Sequence, residues 1–545
     1  MSPKRPPVRV LRIVAVLAAT GLGCRSPEAE LAKADAEATG ILHEKQRAAF
    51  GETRPFDVRT PADRVRDLTV DGADGLATRP TALALDLRST LQLAARNSRE
   101  FQDRKERLYA AALQLIRERE RFRPSPFFRL GGGATVDDGE LSVDGDAELG
   151  VTKVLERGGT FALSVGGNFL RFVTSPTAEN AASFLNLVVS LPLLRGAGEL
   201  VALESLRQEE RNVVYALREF ERFKQTFAVR VATEYLRLLA SSMQVDNEIR
   251  NLENVSEARR RNEALAEAQR LTQIEVDQAR QDELRARNRV LVQRNNFQEQ
   301  LDRFKQTLGV PVDLSTTVDV ADLDALRELL ALPFERDDRA SIARALELRL
   351  DLQNVRDQTV DAERRVRIAE DLLLPDLTLA LGATPTSDAN KPLKLDLGDG
   401  RYTAGFEADL GLDRDLERVA LRQAHLDLSS ARRAVEDLED AVKADVRSAL
   451  RTVAERRETY DIQRAAVEVA VRRRESVIEF RNRGDASTRD LLEAQEALVD
   501  AENALAEALV EYRVAYLEFY RDTGALVVRP EGLDHATSDA LLDAP

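Results

Sequence analysis

Apolar residues recur every seven positions between residues 485 and 523, a segment that contains neither Gly nor Pro. The apolar positions, and the alanines that follow three residues later, are Leu491, Leu498, Leu505, Tyr512 and Phe519, with Ala494, Ala501, Ala508 and Ala515. This spacing predicts a long helix with a narrow apolar stripe of the coiled-coil type. Small alanine side chains let a neighbouring helix approach closely, so we expect this helix to lie in a bundle or wall of helices.

Two other long segments are also free of helix-breaking residues. Residues 199–308 form 110 consecutive positions without Gly or Pro, and residues 412–483 form a second such run. Because Gly and Pro cost a helix about 1 and 3 kcal/mol, their absence predicts helices far longer than average. A helix of about 65 residues would extend about 100 Å, which is too long to lie on the core of one compact domain. We therefore predict two long helical hairpins, over residues 199–308 and 412–523.

The periodicity changes to two in the segments before the hairpins, residues 126–192 and 376–410. In the first segment Phe161, Leu163 and Val165 alternate with small or polar residues, and Gly becomes frequent. Such alternation predicts β-strands with one apolar face, either in a transmembrane barrel or in a soluble sheet with one wet face. The export signal described below favours the barrel. Each chain has too few such strands to close a barrel alone, and open edges cannot face lipid, so other subunits would complete it.

The two hairpins belong to two copies of one larger unit. The segment QTLG ends at Gly309 and RDTG ends at Gly524, and the same offset of 215 residues aligns the helices before them. In each copy a helix, expected near residues 84–122 and 341–373, precedes the strands and the hairpin. At the first hairpin tip Gln269 stands where the offset predicts Gly, so we expect that turn to differ from the second.

The N-terminus carries a signal for export. Residues 1–23 begin with basic residues and continue with a short apolar run that ends in Thr-Gly-Leu-Gly before Cys24. Basic residues, a short apolar stretch and small residues at the cleavage site are typical of a secretory signal peptide. The position of Cys24 resembles the lipobox of bacterial lipoproteins, although Gly21 stands in place of the usual Leu. We predict that Cys24 is acylated and holds the chain at a membrane, the alternative being an ordinary signal with an incidental Cys.

Composition argues against several classes of function. Charged residues make up 32% of the chain and aromatic residues 5%, which suits long solvated helices better than one large globular core. The net charge of −15 argues against a nucleic-acid partner, which would need a basic face. A single Cys cannot form an internal disulfide, and the three His residues have no partners at metal-ligand spacing. Because the chain also has no nucleophile, phosphate-binding or dinucleotide-binding motif, we expect no enzymatic activity, no cofactor and no metal site.

An ordered set of segments resembles the outer membrane efflux protein family, the TolC-like outer-membrane factors, in its lipoprotein type. The segments are LPLLRGAGE at 191–199, QTLGVP at 306–311, LLPDLTLALG at 373–382, LDRDLERVALRQA at 412–424, RNRGDASTRDLLEAQ at 481–495 and RDTGAL at 521–526. No single motif is specific, but the set covers about residues 80–526 and both repeats.

The resemblance implies a mainly α fold, in which long antiparallel helical hairpins form a periplasmic tunnel and a transmembrane β-barrel is shared between three protomers. Each chain of the homotrimer would give four strands to one barrel in outer-membrane lipid. The tunnel would dock onto a periplasmic adaptor (membrane fusion) protein and an inner-membrane pump, so the chain would be the passive exit duct of a tripartite efflux or type I secretion system. Residues 137–172 are long for the first strand pair, which indicates an extra hairpin or an extended loop. The alternative is a periplasmic, lipid-anchored coiled-coil adaptor or scaffold protein, whose strands would form a soluble domain.

On this basis the chain divides into a lipoprotein signal peptide, a tether with one short helix, a first repeat, an equatorial connector, a second repeat and a C-terminal tail. These parts are residues 1–23, 24–80, 81–315, 316–340, 341–526 and 527–545. The strands of the two repeats would occupy residues 126–192 and 376–410.

The candidate functional residues lie at the second hairpin tip. Asp490 and Glu493 are three positions apart and so share one helix face. The resemblance implies that acidic residues here line the periplasmic aperture, where three copies would form an anionic ring. Asp490 also fits a capping box with Ser487, which is the alternative role for that residue.

A second group of residues at this tip would dock the adaptor or lock neighbouring helices by ion pairs. The residues of this group are Arg481, Arg483, Gly484 and Arg489. A solvated basic end of the hairpin explains the same residues equally well.

Overall fold

Long helices and one six-stranded sheet make up most of this computed structural model. It describes residues 26–53, 56–58, 83–137, 140–172, 180–318, 337–387, 391, 394–395, 397–398, 400–529 and 532–533. The predicted mainly α fold class with a β-sheet and two structural repeats is confirmed. The predicted signal peptide and Cys24 lie outside the described residues. None of the described helices has an apolar stretch long enough to cross a membrane.

The helices fall into two long hairpins and several shorter elements. Their bounds are α1 Pro27–Phe50, α2 Leu87–Asn97, α3 Arg99–Arg121, α4 Glu199–Ala202, α5 Glu204–Glu267, α6 Gln273–Leu308, α7 Asp338–Leu348, α8 Leu350–Asp371, α9 Asp415–Arg483 and α10 Thr488–Asp522. The hairpins are α5–α6 and α9–α10, and α9, with 69 residues, would span about 100 Å. Helix α1 lies in the segment expected to be a tether, and it packs on α3 and α5.

The heptad pattern near the C-terminal end of the chain is buried as its spacing predicts. Seven of the nine heptad positions of α10 are buried, and Leu505 and Ala501 are partly buried. The helix packs between α5 and α9, where Tyr512 and Ala515 lie in one core cluster with Val229 of α5. Because α10 is covered from two sides, burial extends beyond the predicted stripe and includes Leu509, Val510 and Val514.

Both hairpin tips turn through a residue in the left-handed region of backbone space. Gly484 ends α9 with φ 89°, and its N–H donates to the carbonyl of Arg481 at 3.1 Å. Gln269 lies in the first turn with φ 56°, the only described non-glycine residue with a positive φ. The expectation that the first turn would differ from the second is therefore wrong: Gln269 takes the same region of backbone space as the glycine it replaces, at a conformational cost of about 1 kcal/mol.

The helix expected before each set of strands is interrupted at one residue, which is a correction to the sequence prediction. Helices α2 and α3 are separated by Ser98, and α7 and α8 by Arg349. In each repeat the glycine that ends the long hairpin packs against this break. A Cβ on Gly309 would lie 2.0 Å from the carbonyl oxygen of Asn97, and one on Gly524 would lie 3.1 Å from the carbonyl carbon of Leu348. The repeats therefore share a close backbone contact as well as their order of elements.

The sheet has the strand order β2-β3-β4-β5-β7-β8, and all its neighbouring strands are antiparallel. Its strands are β2 Ser125–Asp137, β3 Glu140–Val154, β4 Thr160–Phe172, β5 Asn180–Pro192, β7 Asp376–Thr384 and β8 Arg401–Asp409. The resemblance implied four strands per chain, and that number is wrong for this protein. Two of the six strands, β2 and β3, form an additional hairpin at one edge.

Short strands join the remaining parts of the chain. Strand β1, Leu83–Leu85, pairs in parallel with β6, Thr316–Val318, at the start of the expected connector. Strands β9, Val528–Arg529, and β10, Gly532–Leu533, pair within the expected C-terminal tail. These contacts hold the segments that flank the repeats against the helices.

Candidate functional site: the six-stranded sheet and the hairpin tips

One face of the sheet is apolar across all six strands. A row of paired residues on this face runs through Pro126, Val151, Leu163, Leu187, Ala383 and Tyr402. Many side chains on this face are exposed in the single chain; Leu130 is 72% exposed and Phe406 is 69% exposed. A large, exposed and continuous apolar face marks a surface that contacts lipid or protein.

The opposite face of the sheet is polar. Its described side chains include Asp144, Asp146 and Glu148 of β3, which alternate with the apolar residues of that strand. Arg129 of β2 lies opposite Glu148, with its guanidinium 3.4 Å from the Glu148 carboxylate. Alternation of an apolar and a polar face is the arrangement of transmembrane β-strands, which put one face to lipid and the other to an aqueous lumen.

The turn between β3 and β4 is fixed to the place where the first long hairpin begins. The N–H of Gly198 donates to the carbonyl of Arg157 in this turn at 2.9 Å. Gly159 has φ 89°, and a Cβ there would lie 2.1 Å from the carbonyl oxygen of Ser190 in β5. The turn therefore lies at the end of the sheet from which the helices start.

The two outer strands of the sheet have unpaired edges. Strands β2 and β8 each have one neighbour, and no other described strand pairs with either of them. All five pairings from β2 to β8 are antiparallel, so the strand direction changes five times and β2 and β8 run in opposite directions. Open strand edges offer backbone N–H and C=O groups for pairing with another chain.

The long helices have a similar pair of open sides. Helix α5 packs between α6 and α10, and α10 packs between α5 and α9, so α6 and α9 lie on the outside of this layer. Toward the tips, α6 exposes Leu284 and Leu291, which are 59% and 60% exposed and seven residues apart. Helix α9 likewise exposes Ile462 and Val469, again seven apart. Apolar stripes with heptad spacing are typical of helices that pack against further helices.

Asp490 serves as a capping residue at the second tip. Its carboxylate accepts hydrogen bonds from the backbone N–H of Ser487 at 2.9 Å and from the Ser487 hydroxyl at 2.7 Å. Ser487 in turn accepts from the N–H of Asp490 at 3.2 Å, which completes the capping box. The hydrogen bonds from Ser487 hold the pKa of Asp490 below its ordinary value. The carboxylate is exposed, so capping leaves it charged and in contact with solvent.

Glu493, Arg489 and Arg483 lie on the surface of the tip and pair within their own helices. Glu493 accepts a hydrogen bond from Arg489 at 2.7 Å, one helical turn away. Arg483 lies 3.7 Å from Glu479 of the same helix. Exposed pairs at this spacing contribute little to stability, so these side chains are available for contact with other molecules.

Arg481 differs from the other tip residues because it joins the two hairpins. Its guanidinium donates to the side-chain oxygen of Asn262 in α5 at 2.9 Å. The amide of Asn262 also lies 3.4 Å from the Thr488 hydroxyl of α10. Partial burial lowers the pKa of Arg481, and the nearby Arg261 lowers it further. This contact is a lock between the two hairpins.

Sequence reasoning did not identify Asn262, although the sequence carries a signal for it. Asn262 is fully buried and lies seven residues after Val255, which packs with Ala258 and Leu492. A buried Asn at one position of an apolar heptad stripe fixes the register of the helices that meet there. Among the described residues, no group of three or more His, Cys, Asp or Glu is arranged to hold a metal ion.

Solved structures match most of the chain, whereas no protein-family model and no curated protein matches it. The outer-membrane channel OprN is 17% identical, with 86% of this chain and 96% of that chain covered and a TM-score of 0.57. CusC, described for its transmembrane channel formation, is 14% identical, with coverage of 80% and 92% and a TM-score of 0.59. The Campylobacter jejuni CmeC outer membrane channel is 15% identical, with coverage of 84% and 88% and a TM-score of 0.58. This chain therefore has the fold of outer-membrane channels, the fold that its resemblance to the TolC-like factors implied.

Proposed function

We propose that the chain is the outer-membrane channel subunit of a tripartite efflux or type I secretion system. Three copies would form a passive exit duct, to which a periplasmic adaptor and an inner-membrane pump deliver the solute. The observation that carries the proposal is that the subunit is open on two sides, both in its sheet and in its layer of long helices. Copies placed side by side around an axis would satisfy both sides at once and enclose a hollow tube.

The sheet supports a position in the outer membrane. Its apolar face suits contact with lipid, and its polar face suits a water-filled lumen. Unpaired backbone groups at an edge cost several kcal/mol each in lipid, so β2 and β8 need partners from other copies. Acylation of Cys24, if the signal is cleaved before it, would anchor the N-terminus to the same membrane.

The hairpin tips support contact with the other components. The surface formed by Arg483, Gly484 and Arg489 is exposed and lies at the end of the long helices, where an adaptor would meet the tunnel. Asp490 and Glu493 on this end would give three copies an anionic ring at the periplasmic aperture. Arg481 would act differently, by holding the second hairpin to the first through Asn262.

The chain would carry out no catalytic step, since the pump supplies the energy for transport.

The alternative, a soluble lipid-anchored adaptor or scaffold, would have to keep the exposed apolar face of a six-stranded sheet in water. Burying apolar area stabilises by about 25 cal/mol per Å², so exposing so continuous a face would be strongly unfavourable.

The test is the location and conductance of the protein expressed with its signal. We expect a trimer in the outer-membrane fraction, dissociating to monomers on heating in detergent, and ion-conducting pores in planar bilayers. The double variant Asp490→Ala with Glu493→Ala should conduct with a weaker preference for cations. Recovery of the protein only from the inner membrane, as a subunit that forms no pores, would exclude the channel and favour the adaptor.

A further inference from the structure

We propose that the β2–β3 hairpin forms the closing edge of the barrel, so that three subunits build an eighteen-stranded pore instead of a twelve-stranded one. The inference rests on the proposed function and adds the width of the pore and the strand that each subunit offers to its neighbour. It is carried by the sheet of six strands, in which β2 and β8 are the two outer strands.

The additional hairpin is an integral part of the sheet. Strand β2 pairs with β3 along its whole length, from Ser125 with Thr152 to Asp137 with Glu140, and β3 pairs with β4 over thirteen residues. The apolar face continues across it, because Phe128 of β2 lies beside Leu149 of β3, which lies beside Val165 of β4. A β2–β3 hairpin that lay outside the barrel in water would not need an apolar face that continues from the neighbouring strands.

The strand directions permit closure through this hairpin. Because β2 and β8 are antiparallel, β8 of one subunit can pair with β2 of the next in the same pattern as every other pair in the sheet. With six strands from each subunit the total is even, as antiparallel closure requires. Bacterial outer-membrane barrels span a range of sizes that includes eighteen strands.

The register within the subunit predicts which residues meet at the new junction. A row perpendicular to the strands joins Pro126 of β2 to Tyr402 of β8. In a closed barrel, a row perpendicular to the strands reaches the next subunit displaced along its strand by a number of residues, which is the stagger. With strands about 4.8 Å apart and a rise of about 3.3 Å per residue, a tilt of about 35–45° requires a stagger of about six or eight residues for each six-stranded subunit. The stagger must be even to keep apolar faces together. Ala404 should therefore lie beside Leu130 or Gly132 of the neighbouring subunit.

The consequence is a wider passage through the membrane. Barrel diameter grows roughly linearly with strand number, so three six-stranded subunits enclose about twice the cross-section of three four-stranded ones. The barrel would then place less restriction on the size of the solute than a twelve-stranded barrel does. Selection by size would fall to the hairpin tips.

Cysteine cross-linking between subunits tests the junction. Ala404→Cys would be combined in turn with Leu130→Cys and with Gly132→Cys, and in a second arm with Val165→Cys and with Gly167→Cys. The second arm reports closure through β4, which would be the outer strand if the additional hairpin lay outside the barrel. Cys24 is the only native cysteine, so each single-cysteine variant serves as the control for background links.

We expect oxidation to link subunits through residue 130 or 132 and to yield a covalent species of three subunits. Links through 165 or 167, or a largest species of two subunits, would overturn the inference while leaving a membrane channel in place. Absence of links in every pairing of an outer-membrane trimer would also overturn it. A protein that forms no membrane oligomer would instead refute the proposed function.

Conductance gives a second measure that does not depend on the register. Deletion of residues 125–159 would join the end of α3 to β4 and leave four strands per subunit. We expect the largest polyethylene glycol that lowers the conductance when added from the barrel side to become smaller, because the barrel diameter falls by about a third. An unchanged size limit in a variant that still forms outer-membrane trimers would contradict the wider barrel.

Discussion

At the scale of single residues, two glycines end long helices for different physical reasons. Gly309 and Gly484 both have a positive φ, of 73° and 89°, which costs an L-residue with a side chain about 1 kcal/mol. Gly309 also lies so close to the carbonyl of Asn97 that a Cβ would overlap it, whereas a Cβ on Gly484 meets nothing within 4 Å. The first is needed for packing between helices, and the second only for the turn.

We therefore expect Gly309→Ala to be clearly more destabilising than Gly484→Ala. The conformational cost is shared, and the overlap with Asn97 should add about 1–3 kcal/mol to the first variant. Thermal melting of the helical circular dichroism signal in detergent measures the difference, with Gly484→Ala as the matched control. Equal shifts of the two melting temperatures would contradict the role given to the contact between Gly309 and Asn97.

The protonation of Asp490 offers a prediction about pH. Hydrogen bonds from Ser487 lower the pKa of Asp490, so the carboxylate stays charged to a lower pH than an ordinary Asp. The capping box therefore contributes to stability at neutral pH, and that contribution is lost as the pH falls through the lowered pKa. Ser487→Ala removes the hydroxyl and should raise the pKa of Asp490.

If Asp490 lines the aperture, the cation preference of Ser487→Ala should weaken at a higher pH than that of the native channel. Reversal potentials in a salt gradient, recorded across a pH series, measure the shift. Ser429→Ala is the control, since that hydroxyl bonds to the backbone of its own helix far along the chain from the tip. The same pH dependence in the native channel and in Ser487→Ala would separate capping from ion selection and leave Asp490 only a structural role.

At the scale of elements, Asn262 connects the two hairpins at their tips. It is buried between Arg481 and Thr488, and its loss would leave Arg481 partly buried without this partner. An unsatisfied buried polar group costs about 1–3 kcal/mol, so Asn262→Ala should lower the stability of the tips by that order. Hydrogen exchange of the tip amides measures the effect, and Arg483→Ala, on the exposed surface, should have almost none. Equal exchange in the two variants would contradict the lock.

The helices show which features of the fold the sequence pattern predicts and which it does not. Runs without Gly or Pro predicted both long hairpins, because a continuous helix depends on local propensity and on a stripe that repeats along one segment. The same criterion missed the breaks at Ser98 and Arg349, since no helix-breaking residue is present and each break lies against a glycine that is distant in the sequence. It also gave no position for the first turn, which the offset between the two repeats placed at Gln269 instead.

Strand pairing was the least accessible feature, because alternation identifies a strand but not its neighbour. Strands β5 and β7 pair although almost two hundred residues separate them, and this pairing sets which strands are at the edges. The long segment at 137–172 did indicate additional structure, but only the full register identifies it as two more strands in one sheet. At the tip, the carboxylates and arginines were predicted, whereas the buried Asn that joins the hairpins was not.

At the scale of the whole molecule, the subunit exposes apolar surface in two separate regions, and both regions require contact with another molecule. The sheet needs a partner for its edges and lipid or protein on one face, and the layer of helices needs partners for α6 and α9. The proposed arrangement of identical copies around an axis would satisfy all of these requirements, because each open side would meet its complement on the next copy. If the proposed function holds, assembly would be part of folding for this chain rather than a later association of stable subunits.

A charge on the outer stripe of α6 should prevent that assembly without unfolding the helices. Leu291 is 60% exposed in the subunit, and Leu291→Glu would place a carboxylate where we expect the neighbouring subunit's α9 to pack. Burying an unpaired charge in such an interface is strongly unfavourable, so the trimer should be lost or should dissociate at a much lower temperature. Gln300→Glu, nine residues away and so on the opposite side of the same helix, is the matched control for the added charge. Size-exclusion chromatography with light scattering in detergent separates trimer from monomer, and circular dichroism checks that helical content is kept. A Leu291→Glu variant that remains a trimer as stable as Gln300→Glu would mean that the α6 stripe faces solvent or another protein, and the subunits would then have to meet through a different surface.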